Sequence, residues 1–280
     1  MPSRHTAPTG PVRPPTRREV LTALGVAGLA AGAAGLLAGC GDDSKKALDV
    51  DPVELWQSPY DWDRVLSDPR GRKYYLPDWQ LSSKVGIDVS DYSGEVDWPS
   101  VLADGIEFAF LRAGYRGYGS GALVADEQFA ANLENARAAQ MPIGAYFFSS
   151  AVSEAEAVEE AEFVIDALDG MELEYPIVYD QEKVSDAAGR ANNLTATQYT
   201  ANARAFCERV VEAGYQAMVY GNQHQLALMD LNALADYPLW YAEYGVSQPS
   251  AEVNFTMWQY ATDGVVSGID DGVDLTIQFL

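Results

Sequence analysis

The chain has 280 residues, enough for a domain with a sizeable core, and its 41 acidic against 18 basic side chains leave a formal charge of −23. That field excludes phosphate-backbone recognition, so no nucleic-acid partner is expected, and it gains nothing from an anionic lipid surface. With two histidines, His5 and His224, and two cysteines, Cys40 and Cys207, a histidine- or thiolate-built zinc centre is excluded, and no metal or cofactor is expected.

The first 39 residues read as an export signal. Arg17 and Arg18 in "TRREVLT" (16–22) precede a mild Ala/Gly/Leu segment running to Leu37. The pair resembles a twin-arginine signal, with Val20 and Thr22 departing from the usual pattern. The apolar stretch is about 17 residues and glycine-rich, a weak spanning helix. "LAGC" (37–40) resembles a bacterial lipobox. It implies cleavage before Cys40 and a lipid on that sulfur, so lipid chains would hold the protein to the outer face of a membrane. Cys207 would then be the sole thiol of the mature chain, and it sits on the apolar side of an expected helix as a core residue.

Residues 40–84 form a connector. "GDDSKK" after Cys40 has the composition of a tether. Trp56, Trp62, Tyr74, Tyr75 and Trp79 are too aromatic for a pure linker, so packing on the domain is expected from about Tyr74.

From residue 85 to 280 the pattern alternates. Apolar, β-rich runs fall at 85–89, 106–111, 143–148, 176–180, 217–221, 238–242, 255–260 and 272–279. Helical segments at about 98–104, 126–139, 154–168, 197–213 and 224–235 separate the first six. Ser153 is an N-cap candidate, and Gly214 a helix stop. This is an α/β pattern with a buried parallel sheet. Eight strands with five helical crossovers suggest a barrel closed by three helix-poor strands; an open doubly wound sheet competes.

"PIVYDQE" (176–182) ends an apolar run on two carboxylates. Residues two apart in a strand share a face, so Asp180 and Glu182 point together while Gln181 points away and should tolerate replacement. Like charges held close raise the pKa of one partner, which suits an acid that must be protonated near neutrality. Asp88 ends the first run, and Asp274 lies in the eighth, its neighbour in a closed barrel. Active sites of such barrels lie at the carboxyl ends of the strands, so four acids converge on one mouth. Asp91 and Asp97 read as turn and helix-cap residues. His224 reads as a solvated residue at a helix start, not a member of a Ser-His-Asp triad.

"GIDVSDYSGEVDW" (86–98), "FLRAGYRGYG" (110–119), "PIGAYFFSSA" (142–151), "YPIVYDQE" (175–182), "LWYAEY" (239–244) and "MWQYATDGVVSGIDDGVDL" (257–275) resemble, in order and spacing, glycoside hydrolase family 25, the Chalaropsis-type lysozymes. The resemblance covers residues 85–280 and implies an irregular (β/α)5β3 TIM-like barrel. It implies hydrolysis of the β-1,4 bond after N-acetylmuramic acid in peptidoglycan glycan strands. Glu182 becomes the general acid and Asp180 its partner in substrate-assisted catalysis, with Asp88 and Asp274 at the first and last strands. Tyr92-Ser93 and Phe147 depart from the family's frequent His-Gln and His. Tyr146, Tyr220, Trp240, Tyr244, Trp258 and Tyr260 offer flat faces to sugar rings, or else fill barrel layers. The alternative is a catalytically idle barrel lipoprotein that binds wall glycan.

Overall fold

The computed structural model describes residues 59–280. The export signal, Cys40, the tether and Trp56 lie outside the described residues.

Eight strands close a ring. They are β3 (Ser83–Val89), β4 (Phe108–Arg116), β6 (Ile143–Ser149), β7 (Ile177–Gln181), β8 (Ala217–Asn222), β9 (Leu239–Ala242), β10 (Met257–Gly264) and β11 (Val273–Phe279). Neighbours from β3 to β10 run parallel, whereas β11 is antiparallel to both β10 and β3. Pairing of β3 with both β4 and β11 completes the barrel and excludes the open sheet. Five connections carry helices: α1 (Trp98–Ala103), α2 (Phe129–Ala138), α3 (Glu154–Leu168), α4 (Ala196–Glu212) and α5 (Gln223–Leu226). The architecture is the irregular α/β barrel expected, with β9 to β11 joined without helices.

Local chemistry sets the boundaries. Ser153 and Thr195 accept the Glu156 and Gln198 N–H groups and cap α3 and α4. Gly214 follows α4 in the left-handed region, at φ +91°. The helix expected over 224–235 stops after one turn. Beyond it Asp230 Oδ1 accepts the Asn232 and Ala233 N–H groups, a local turn that competes with helix. A short strand β5 (Leu123–Ala125) folds back on β4, which extends that strand past the expected end at residue 111.

The barrel interior is packed. Phe108 stacks on Tyr175 at 4.7 Å between centroids, and Phe110 on Trp240 at 4.6 Å. Glycine makes room for them. A Cβ on Gly86 would lie 2.2 Å from Phe108, and one on Gly144 2.5 Å from Phe110. Small residues opposite large ones let side chains from all strands fill a narrow barrel.

The outer faces of β10 and β11, with Phe255 before β10, are covered by the segment that precedes the barrel. It contains the hairpin β1 (Val65–Ser67) and β2 (Lys73–Tyr75). Packing starts earlier than the expected Tyr74. Tyr60 stacks on Phe279 at 4.0 Å and donates to the Phe255 carbonyl at 3.0 Å. Trp62 meets Phe255 and the edge of Trp258. Arg70 and the buried Arg72 both pair with Asp104 at the end of α1, which also accepts the Ser267 N–H. Aromatic side chains thus replace the missing helices.

Candidate active site

The mouth is built at the carboxyl ends of the parallel strands, where β11 begins. Asp88 and Asp274 stand directly opposite each other on β3 and β11. Like charges in that position destabilise a sheet. Asp180 pairs with Phe148 of β6 and Tyr220 of β8. Val178, two residues earlier, belongs to the aromatic cluster inside the barrel, so alternation turns Asp180 inward. Asp180 is fully buried, Asp88 is buried, and Glu182 and Asp274 are partly exposed. Glu182 follows the last residue of β7 and continues the same alternation.

Of the six aromatic candidates, three lie on the mouth side. Tyr146 and Tyr220 belong to the inner cluster, and Tyr244 packs against it just past β9. Trp240 is fully buried beneath them, stacked on Phe110 and donating to Thr276 Oγ1 at 3.1 Å, so its faces are occupied by protein. Trp258 and Tyr260 face outward. Trp258 donates to the Glu243 carbonyl and Tyr260 accepts the Lys73 N–H, both within the layer that covers the helix-poor strands. Their placement corrects the expectation of a sugar-facing role: in a strand buried on both faces, apolar character does not distinguish inside from outside.

Gln259, between those two aromatics, is the inward residue. Its Nε2 donates to Asp88 Oδ2 at 2.5 Å, while its Oε1 accepts from Tyr220 at 2.7 Å and from Tyr244. Two phenols on the oxygen fix the amide orientation and aim its N–H at the carboxylate. Period-two reading of "MWQY" carried this signal. Arg112 was also missed, although an arginine inside the run "FLRAGY" is a charge in an apolar strand. Its Nε donates to Asp126 at 2.8 Å, its Nη2 pairs with Asp91, and its guanidinium lies 5.0 Å over the Tyr92 ring. Burial works against that charge, but Tyr146, Asp126 and Asp91 outweigh it and raise the Arg112 pKa. Asp91 is thus more than a turn residue, while Asp97 occupies the N-cap position of α1.

The two residues set aside on sequence grounds lie away from this chemistry. His224 is exposed at the start of α5. Cys207 is buried in α4, and burial pushes its thiol far up. What remains at the mouth is a set of carboxylates at three strand ends, phenols and a buried guanidinium. That set suits proton transfer to an uncharged polar substrate.

Residues 87–269 match the family described as Glycosyl hydrolases family 25. The autolytic lysozyme of Clostridium acetobutylicum is 27% identical over 190 residues, which are 68% of this chain and 54% of that protein. Lysozyme M1 of Streptomyces globisporus is 29% identical over 206 residues, covering 68% of this chain and 65% of that one. The chain thus spans between half and two thirds of these curated relatives. The crystal structure of the bacterial lysozyme from Streptomyces coelicolor superposes with a TM-score of 0.59 at 28% identity, covering 70% of this chain and 90% of that one. Barrel topology, the placement of the acids and the sequence match agree: the chain belongs to glycosyl hydrolase family 25.

Proposed function

We propose that this protein is a peptidoglycan hydrolase that cleaves the β-1,4 bond between N-acetylmuramic acid and N-acetylglucosamine. Family membership and the two curated lysozymes support the reaction class. The observation that carries the site is the in-register Asp88–Asp274 pair at the mouth that Asp180 also enters. A barrel that only packed gains nothing from facing carboxylates, and one that only bound sugar need not keep three of them together.

In this reading Glu182 is the general acid that protonates the leaving oxygen. Asp180 supports the substrate's 2-acetamido group as that group assists departure. Gln259 holds Asp88 as a hydrogen-bond acceptor. Tyr146 and Tyr244 offer the sugar-facing surfaces. The protein is exported and tethered through lipid on Cys40 at the outer face of the cytoplasmic membrane, next to its substrate.

Mass spectrometry of muropeptides released from purified walls tests the reaction. New reducing ends carrying the lactyl group of muramic acid are expected. Reducing ends on N-acetylglucosamine, or no release, would reject the assignment. For the tether, Cys40→Ala should abolish lipidation and leave the precursor uncleaved; a variant that matures and partitions into detergent like the parent removes it.

A further inference from the structure

The strand that carries the acids ends abruptly. Ladder pairing of β7 stops at Asp180 on the β8 side and at Gln181 on the β6 side. Glu182 lies one residue beyond the last pair. Two residues further on, the chain is fixed again: Val184 N–H donates to Asn192 Oδ1 at 2.9 Å, and Asn192 Nδ2 donates back to the Val184 carbonyl at 3.0 Å. Glu182 and Lys183 therefore bridge two anchored points.

The inner anchor is the side chain of Gln181. It is fully buried on the outer face of the barrel. Its Oε1 accepts from the Tyr179 hydroxyl at 2.5 Å, and its Nε2 donates to the Ala151 carbonyl at 3.2 Å. That carbonyl also accepts Asn202 Nδ2 of α4 at 2.9 Å. The Tyr179 hydroxyl accepts in turn from Ser149 Oγ, at the end of β6, at 3.4 Å. One amide thus ties the end of β7 to the loop after β6 and, through Ala151, to α4. Its oxygen is held by the phenol, so its nitrogen must face the carbonyl. Packing alone does not call for a buried amide here, because an apolar side chain of that length avoids the cost of desolvating polar atoms.

We infer that Gln181, held by Tyr179 and the Ala151 carbonyl, is a positioning residue that sets the direction in which Glu182 enters the mouth. The inference rests on Glu182 being the general acid. It replaces the expectation that an outward-facing Gln181 is dispensable. A catalytic group displaced by 1 Å can cost on the order of 100-fold in rate, and a two-residue bridge that keeps only the ladder pair with Ser149 at one end permits such a displacement.

The test compares Gln181→Met, which keeps length and loses both hydrogen bonds, with Tyr179→Phe, which keeps the ring against Phe206. Turnover is measured on solubilised peptidoglycan glycan chains, with a melting curve for each variant. Gln181→Met should lower kcat by about 10-fold with KM within about twofold, and Tyr179→Phe should lower it less. The double variant should be no worse than Gln181→Met, because both break one chain of hydrogen bonds. Gln181→Glu, whose protonated carboxyl offers the same acceptor and one donor, should regain activity on the acid side of the pH profile. Unchanged kcat in folded Gln181→Met, or fully additive losses in the double variant, would overturn the inference. If Gln181→Met does not fold, Tyr179→Phe decides: a parental kcat overturns it, a reduced one at parental KM sustains it. Glu182→Gln is assayed beside them. Parental turnover there removes the general-acid reading itself, whereas its loss with none in the other two removes only the positioning role.

Discussion

At the scale of single residues, the acids divide the chemistry. Glu182→Gln keeps shape and hydrogen-bonding capacity but has no proton to give, so turnover on peptidoglycan should fall by about 10²–10⁴-fold. Asp180→Asn should be comparably severe if, as proposed, Asp180 supports the acetamido group, since it removes that charge. Melting curves for both should match the parent or lie slightly higher, because carboxylates gathered for function oppose stability. A folded Glu182→Gln enzyme with parental turnover contradicts the assignment. Glu160, away from the mouth, makes a separate prediction. It is buried in α3 beside Arg116, which donates to it at 2.7 Å. Burial, opposed by Ser149 and Arg116, pushes its carboxyl up to about 7 from the ordinary 4.5. The native state then holds a proton that the unfolded state has released, so this group's contribution is intact below pH 4.5 and is lost as pH rises to about 7. Parent stability should fall across that window relative to Glu160→Gln, by roughly 1–3 kcal/mol in denaturant melts; parallel curves would count against it. The placement of Asp88, Asp180 and Asp274 was legible because period two and strand ends are written in the sequence. Gln259 was not legible because the bulk of its neighbours Trp258 and Tyr260 says nothing about which face they occupy, nor was Arg112, whose carboxylate partners Asp91 and Asp126 lie in separate loops of the sequence.

At the scale of elements, the segment before β3 does for β10 and β11 what helices do for other strands. Trp62→Ala should lower stability by about 1–3 kcal/mol while leaving KM close to the parent's, since its contacts with Phe255 and Trp258 lie on the outer face. Urea melts with parallel kinetics check this, and an unchanged midpoint would mean the segment merely lies on the barrel. The eight barrel strands could be read from their apolar runs, and the long helices α3 and α4 from their caps and stops. The strands β1, β2 and β5 could not, since three residues each are too few to show a period. The helix expected over 224–235 is cut short: the apolar spacing of Leu226, Met229, Ala233 and Leu234 is helical, while the turn at Asp230 is set by side-chain-to-backbone bonds that hydrophobic pattern does not report.

At the scale of the molecule, the acidic excess has a kinetic meaning: with residues 1–39 removed as proposed, 14 basic and 40 acidic side chains leave a formal charge of −26. A polyanionic wall, the substrate proposed above, would repel this protein at long range, and salt screens repulsion between exposed charges beyond about 10 Å at 0.1 M. Lysis of intact walls should therefore speed up as salt rises from about 20 to 150 mM, with little change on neutral soluble glycan fragments. Equal slopes on both substrates would place the effect in the catalytic step.

The pairing of β3 with β11 also orders events in time. Asp88 belongs to the first strand of the barrel and Asp274 to the last, and their ladder is among the longest-range contacts in the chain. Contacts so distant in sequence form late, because a large loop must close before they reward the chain. In the proposed reading, a chain truncated before β11 would keep Asp88, Asp180 and Glu182 but lack Asp274, and would have no closed mouth to hold them. Removing β11 should therefore abolish turnover although the other three acids remain, and a truncated chain that still cleaves glycan would contradict the proposed mouth.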